Sequence, residues 1–388
     1  MKEKIFFISH ASELNGAERM LADLLERINR NKYDPVLVIP QPGPLGERLS
    51  RSGIATLVIP MKWWLTGRKE ILLQPFKWLW NIWGVLKLVS FLKKEGTRLV
   101  VSNSIVNFSG ALAARVCGLP HVWIIHEIVG RKSDGLCFIL GVSQLKNLIQ
   151  KFSSQVVANS VATWKAMGHQ AERIIVYNGV DFSLLPLIST LQAREKMGFS
   201  FNDKVVGVIG KVCPEKGQMK ALVAVEKLST EFPSLKIAFC GQIKDFHYYK
   251  RILQKAGKLG WGEKIYFLGY QKDVFLFLKT LDVLLVTSSH ESFGRSVIEA
   301  MASRTPVVAV KSGGIPEIVE HGKNGLLVGR PNPEEISKAL SGILRHSQYA
   351  CFLAENGFRT VEKKFQLSAQ VEKIEQILDS NLKRSSLG

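Results

Sequence analysis

The sequence predicts an α/β protein made of two Rossmann-like domains in tandem. Three observations carry this. The 388 residues are worth roughly two to three domains at about 150 residues each. Short apolar runs alternate with helical patterns over residues 4–177. The same alternation restarts at residue 205 after a break. Alternation of this kind implies βαβ crossovers and a parallel sheet covered on both faces.

The elements follow in order. Residues 4–9 (KIFFIS) read as a buried strand, and 16–28 as the helix after it. Further strands are expected at 35–39, 55–59, 98–102, 121–125, 155–158 and 173–177. Residues 180–201 hold Ser183, Pro186, Ser189, Thr190 and Gly198 and no long strand, which reads as a linker with a short helix. Strands then recur at 205–210, 235–241, 264–269, 283–286 and 306–310, with helices over 216–231 and 293–303 and a helical stretch over 334–382. The expected division is a first domain over 1–182, a linker over 183–203, a second domain over 204–360 and a C-terminal helix and tail over 361–388. Ligands of open α/β sheets sit outside the carboxyl ends of the strands. Two such domains place the expected site in the cleft between them.

Composition narrows the partners. Hydrophobic residues at 46% and charged residues at 22% exclude a disordered chain and a small disulfide scaffold. Fifty-two Lys+Arg against 33 Asp+Glu give a net charge of +19. The excess is spread, +10 through residue 185 and +9 beyond it, so there is no basic tail. Such a surplus favours a polyanion: nucleic acid, an anionic membrane or phosphorylated small molecules. No nucleic-acid motif accompanies it. Cys117, Cys137, Cys213, Cys240 and Cys351 are odd in number and show no CxxC pair, which argues against a disulfide framework and a zinc site. A reducing, cytoplasmic compartment fits. The apolar run near the N-terminus is too short for a signal peptide.

Residues 71–92 (ILLQPFKWLWNIWGVLKLVSFL) are long enough to span a membrane, but Gln74, Pro75, Lys77, Asn81 and Lys87 argue against a span. Wound as a helix, Lys77, Asn81, Gly84 and Lys87 share one narrow stripe, and nearly all else is apolar. Such a helix is either buried between other elements or lies flat in a membrane interface. Five of the eight tryptophans fall in 63–83, and residues 61–100 carry eight basic against two acidic side chains. Interfacial aromatics among lysines match a surface that docks on anionic lipid through 61–98.

Four stretches after strand ends carry candidate chemistry. Asn15-Gly16-Ala17-Glu18 opens a helix whose free N–H groups suit a diphosphate. Lys211 and Lys216 flank a turn and fit two point charges on a phosphate chain. Residues 287–303 (TSSHESFGRSVIEAMAS) place Glu291 on a loop, Gly294 at a helix start and Glu299 inside the helix. The two carboxylates are about two helical turns apart, so they suit different parts of one ligand. Gly313-Gly314 forms a tight loop after the last strand. Each has a plain alternative: a helix cap, a solvated loop, an amphipathic helix, a turn.

Taken in order, these motifs resemble a family. NGAE (15–18), SNS (102–104), His126-Glu127, ANS (158–160), YNGVD (177–181), GKVCPEKG (210–217), FLGY (267–270), HESFGRSVIEAMA (290–302), PVVA (306–309) and GGIPEIV (313–319) are similar to the retaining GT-B glycosyltransferases of family four, also described as glycosyl transferases group 1, of bacterial polysaccharide and glycolipid synthesis. The resemblance implies a GT-B fold with the C-terminal helices packing back toward the first domain. It implies an acceptor-binding first domain and a second domain that binds a nucleotide sugar. Glu299 would bind the donor ribose, and Glu291 the sugar hydroxyls, helped by Ser292 and the backbone N–H groups of Phe293 and Gly294. Lys211 and Lys216 would neutralise the diphosphate, which Gly16 would let the first-domain loop approach. His126 would sit near the reacting sugar, and the backbone of Leu268, Gly269 and Tyr270 would hold the base. The family often has Arg where Lys211 stands and Gly where Asn15 stands. Asn tolerates the left-handed conformation, so that turn survives the change.

The implied activity is hexosyl transfer with retention, from UDP-sugar first and GDP-sugar second, to a glycan or lipid-linked acceptor. The donor is a substrate, and no cofactor or metal is called for. The protein would work in the cytoplasm, peripheral at the inner face of the membrane. Two alternatives stay open: a nucleotide-sugar epimerase on the same architecture, and a non-catalytic partner subunit.

Overall fold

The computed structural model describes residues 2–128, 137–168 and 172–386. The side chains of Arg68 and Lys69, counted in the basic cluster, lie outside the described residues. The chain forms two compact units, Met1–Gly179 with Leu367–Gly388, and Val180–Gln366.

In the first unit the chain runs β1 (Glu3–Ser9), α1 (Gly16–Arg27), β2 (Tyr33–Ile39), α2 (Pro44–Arg51), β3 (Ala55–Val58), α3 (Gln74–Lys94), β4 (Leu99–Asn103), α4 (Ser109–Val116), β5 (His121–Ile125), α5 (Val142–Lys151), β6 (Gln155–Ala158) and α6 (Val161–Met167). The second unit holds α7 (Thr190–Met197), β7 (Lys204–Ile209), α8 (Gln218–Glu226), β8 (Leu235–Cys240), α9 (Phe246–Lys258), β9 (Ile265–Phe267), α10 (Val274–Thr280), β10 (Val283–Val286), α11 (Arg295–Ala302), β11 (Val307–Val310), α12 (Ile315–Ile318), β12 (Leu326–Val328), α13 (Pro333–Arg345) and α14 (Ser347–Lys364). The last helix, α15 (Leu367–Ser386), returns to the first unit.

Each unit carries a parallel six-stranded sheet, ordered β3-β2-β1-β4-β5-β6 and β12-β11-β10-β7-β8-β9. Both are the doubly wound order expected of a Rossmann-like domain. Strands buried on both faces read as unbroken apolar runs. In β1, Ile5 and Phe7 join one core with α1, while Phe6 and Ile8 join another with Leu88 and Leu92 of α3. Leu367, Val371, Ile374, Leu378 and Leu382 recur at helical spacing along α15 and enter the Ile5–Phe7 core, so the C-terminal helix packs on the first unit as expected. Polar ties hold it there: Tyr33 Oη donates to Asp379 at 2.6 Å and Asn29 N–H to Glu375 at 2.7 Å.

Several sequence expectations change. Residues 173–177 form no strand; they pair only through the bridge Ala158↔Ile175. The short β12 went unread. The helix expected over 216–231 spans Gln218–Glu226. Residues 183–203 group with the second unit and contain α7, whose buried Arg194 donates to Asp282 at 2.7 Å, to the Thr280 carbonyl at 3.0 Å and to the Phe201 carbonyl at 2.7 Å. Asn15 is extended at φ −81°, so the turn before α1 uses no left-handed residue.

The N-terminal half of α3 turns polar residues inward. The buried residues of the helix are Gln74, Asn81, Gly84, Leu88 and Leu92. Asn81 accepts from Lys62 N–H at 2.7 Å and donates to the Lys62 carbonyl at 2.9 Å. Gln74 donates to Thr66 at 2.9 Å and to the Cys137 carbonyl at 2.6 Å, and accepts from Ile139 N–H at 2.9 Å. A Cβ on Gly84 would stand 2.8 Å from the Pro60 carbonyl oxygen, so only glycine permits this approach. Lys87 stays exposed, outside the buried stripe. Among the described residues no helix is long and apolar enough to cross a membrane.

Candidate active site

In each sheet the strand order reverses, between β1 and β4 and between β7 and β10. The loops leaving those strands diverge at the point where open α/β sheets take ligands.

In the second unit three loops are tied together at this point. Thr287 Oγ1 donates to the Lys216 carbonyl at 2.8 Å, Ser312 Oγ to the Ser288 carbonyl at 3.0 Å, and Gly314 N–H to the Glu291 carbonyl at 2.9 Å. Gln218 Nε2 donates to the Lys211 carbonyl at 2.9 Å. Gly241 has φ +153°, and a Cβ there would lie 2.1 Å from the Gly210 oxygen, so the loops after β7 and β8 run in backbone contact. Gly294, at φ +112°, caps α11. The turn is left-handed, which strains any residue but glycine, and a Cβ would also meet the end of the Ile315 side chain at 2.5 Å.

The frame brings together two residues that lie far apart in sequence. Lys216 Nζ donates to Glu291 Oε1 in a short ion pair. Burial alone would lower the Lys216 pKa, but the adjoining Glu291 carboxylate more than offsets this and holds it above 10.5. Glu299 is buried in α11 and accepts from Arg295 Nε at 2.7 Å. Phe293 is buried against Phe365 at 5.7 Å between rings, which fixes the backbone that carries Glu291 and Gly294. Leu268 N–H donates to the Phe239 carbonyl at 2.9 Å, the Leu268 carbonyl accepts from Gln271 at 2.6 Å, and the Gly269 carbonyl accepts from Gly241 N–H at 2.8 Å. Tyr270 follows, exposed, at the carboxyl end of β9.

In the first unit, Gly16 opens α1, with open space within 4 Å of where a Cβ would stand. His126 follows β5 and is buried. Asn103 Nδ2 donates to the Ala17 carbonyl at 3.1 Å, so its Oδ1 faces His126 Nε2 at 2.8 Å and that nitrogen carries the hydrogen. Burial holds the His126 pKa down at about 4, against a raising effect of Glu127 and with a lowering one of His10. The imidazole is therefore neutral at physiological pH, with Nδ1 as its lone-pair nitrogen. His10 Nε2 stands 3.1 Å from Glu18 Oε1, and its Nδ1 3.2 Å from the Asn103 carbonyl. Ser104 has φ +113°, rare for a residue other than glycine. Its hydroxyl donates to Glu127 in a short bond, and Glu127 also accepts from Ile105 N–H at 3.3 Å and His126 N–H at 3.2 Å. Strain at a strand end, stapled by a carboxylate, is a mark of functional loops.

The residues singled out in sequence thus fall in two groups. Lys211, Lys216, Leu268, Gly269, Tyr270, Glu291, Ser292, Phe293, Gly294 and Glu299 belong to the second unit, Gly16 and His126 to the first. Arg295, Asn103, His10 and the carboxylate of Glu127 were given no role in the sequence reading. Their signal was position: each lies at a strand end or in the first turn of the helix that follows.

A family model described as Glycosyl transferases group 1 matches residues 190–360, and one described as Glycosyltransferase Family 4 matches residues 14–184. The chain belongs to this glycosyltransferase family. HepE of Anabaena, solved in complex with UDP and glucose, has a TM-score of 0.82 and 26% identity over 97% of this chain and 100% of its own, which establishes the GT-B fold expected from the sequence. An uncharacterized glycosyltransferase of Methanocaldococcus jannaschii is 26% identical over 275 residues, 67% of this chain and 69% of that protein. The lipopolysaccharide core biosynthesis glycosyltransferase LpsE of Rhizobium meliloti is 29% identical over 187 residues, 48% of this chain and 53% of that one. Other curated relatives are matched over 37–52% of their own length.

Proposed function

We propose that the protein is a retaining, metal-independent hexosyltransferase that moves a sugar from UDP-sugar, or as second choice GDP-sugar, to a glycan or lipid-linked acceptor. It serves cell-surface polysaccharide or glycolipid synthesis in the cytoplasm, peripheral at the inner face of the membrane and in contact with anionic lipid through 61–98. The second unit takes the donor and the first unit the acceptor.

The observation that carries this is the pair of acidic side chains after β10, each held on a cation: Glu291 on Lys216 and Glu299 on Arg295. Carboxylates are strong acceptors for hydroxyls. Glu299 takes the ribose hydroxyls, and Glu291 takes those of the transferred sugar. Lys211 and Lys216 face the diphosphate, where charge builds as the sugar–phosphate bond breaks; preorganised cations and the α11 N-terminus stabilise that charge. The acceptor hydroxyl attacks the anomeric carbon on the face the diphosphate leaves. The C1–O bond to phosphate breaks, the new C1–O bond forms, and the hydroxyl proton passes to the departing phosphate oxygen. Neutral His126 offers Nδ1 as an acceptor for a sugar hydroxyl. Support for UDP comes from HepE, whose complexes contain UDP, glucose and UDP-glucose, and support for a cell-surface product from LpsE.

The test incubates UDP- and GDP-sugars with protein, a bacterial lipid extract and EDTA, and reads the product anomer by NMR. Transfer with retained configuration supports the proposal. Inverted product, or loss of turnover in EDTA, contradicts it; an isomerised donor without transfer favours the epimerase.

A further inference from the structure

We propose that α3 is a membrane-docking helix whose N-terminal half enters the headgroup region of an anionic bilayer obliquely, while its C-terminal lysines stay among the phosphates. This deepens the peripheral-membrane part of the proposed function.

The fold places apolar side chains outward here when it had polar ones to use. Gln74 and Asn81 could have faced water; instead both are buried, and each is hydrogen-bonded to backbone of its own unit. The outward face is left to Phe76, Leu79, Trp80, Trp83 and Leu86, with Trp83 80% exposed, Phe76 70% and Trp80 59%. These recur every three or four residues, so they form one stripe. Leu72 and Leu73, in the turn just before α3, extend it. Monomeric soluble proteins rarely expose a contiguous apolar patch of this kind without a partner.

Composition names the partner. Further along, the same face continues through exposed Lys87 and Lys94, with exposed Lys93 beside them. Lys62 Nζ lies 5.7 Å from the centre of the Trp80 ring, at the edge of the patch. The two acidic residues of 61–100 are already engaged, Glu70 with Lys77 at 2.6 Å and Glu95 with Lys4 at 2.8 Å. The surface is therefore apolar at one end and cationic at the other. Tryptophan prefers the boundary between headgroups and acyl chains, and lysine reaches back to lipid phosphate. A second copy of this chain fits poorly, because it would bring two cationic rims together.

The test is co-sedimentation of the full chain, without substrate, with vesicles of phosphatidylethanolamine and phosphatidylglycerol, and with vesicles of phosphatidylcholine. The expected result is salt-sensitive binding to the anionic vesicles, with a blue shift of tryptophan emission. Trp80→Ser with Trp83→Ser should weaken binding more than tenfold. Lys87→Glu with Lys94→Glu should weaken binding to anionic vesicles only. All four side chains are exposed, so unchanged melting curves are expected. Failure of the folded wild-type protein to bind, or equal binding by the tryptophan variant, overturns the proposal. So does a wild-type dimer that the tryptophan variant abolishes without any vesicle binding, or capture of an acidic protein in place of lipid. Calorimetry with UDP reads the donor site separately, so failure there leaves this result intact, and the reverse holds.

Discussion

Replacing Glu291 by glutamine should tighten UDP binding and slow sugar transfer. Glu291 pairs with Lys216, the cation proposed for the diphosphate. On that proposal UDP displaces Glu291, and UDP-sugar engages it again through the sugar hydroxyls. Two unit charges about 4 Å apart interact by about 4 kcal/mol at an effective dielectric of about 20. Partial exposure of both side chains, 30% for Lys216 and 15% for Glu291, and the burial cost on Lys216 offset most of that. A net competition of about 1 kcal/mol gives about fivefold tighter UDP binding in Glu291→Gln. Loss of a charged acceptor, about 1.5–3 kcal/mol, should lower kcat/KM for transfer by about 10- to 150-fold. Lys216→Ala should weaken UDP by about thirtyfold, near 2 kcal/mol. The variants also differ in pH response. The raised Lys216 pKa contributes stability that is complete below 10.5 and is lost as pH rises through the higher folded value. Without the carboxylate, burial is opposed only by the smaller effects of Cys213 and Glu215, so Glu291→Gln should lose UDP affinity at a lower alkaline pH than wild type. Calorimetry with UDP and a transfer assay with UDP-sugar read both effects. Equal weakening of UDP and UDP-sugar in Glu291→Gln would refute the displacement argument, and unchanged behaviour of a folded variant would remove Glu291 from the site.

Burial holds the His121 pKa at about 3 and that of His126 at about 4, so the unfolded chain binds protons first as pH falls below 6.5 and stability drops. Each costs about 2 kcal/mol at about pH 5; His121→Gln should show a smaller fall in Tm between about pH 8 and pH 5 than wild type, and an equal fall would contradict this. Gly241→Ala should destabilise by about 1–3 kcal/mol and weaken UDP binding, because its Cβ would displace the Gly210 carbonyl next to Lys211; denaturant unfolding and calorimetry check the two halves. Asn103→Leu should leave His126 a mixture of tautomers, read by 15N NMR of labelled histidine, whereas a single unchanged tautomer would mean Asn103 does not set it.

Much of the fold was legible because buried parallel strands write themselves as unbroken apolar runs, as in KIFFIS and VVGVIG. The failures have physical causes. Residues 173–177 carry the same composition as a strand, yet beyond β6 they find only one paired residue. Three residues of β12 are too few to leave a pattern. The polar stripe of α3 left burial and a membrane interface both open; Asn81 and Gln74 face inward because they satisfy backbone groups of other segments, which no periodicity reveals. The candidate site was read as residues and not as contacts. Lys216 and Glu291 are 75 positions apart and meet only because β7 and β10 are neighbours. Arg295 was readable in principle, since an i, i+4 pair with Glu299 is a standard helical contact.

The most direct test of the donor site is calorimetric titration of the protein with UDP, GDP and ADP in EDTA, alongside Glu299→Ala. Glu299 is buried with its carboxylate on Arg295, and the proposed function assigns it the ribose hydroxyls. Saturable binding of UDP, weakened about 10- to 100-fold in Glu299→Ala at about 1.4–2.7 kcal/mol, is the predicted result. Absence of nucleotide binding by the folded protein, or equal UDP affinity in the folded variant, would contradict the account.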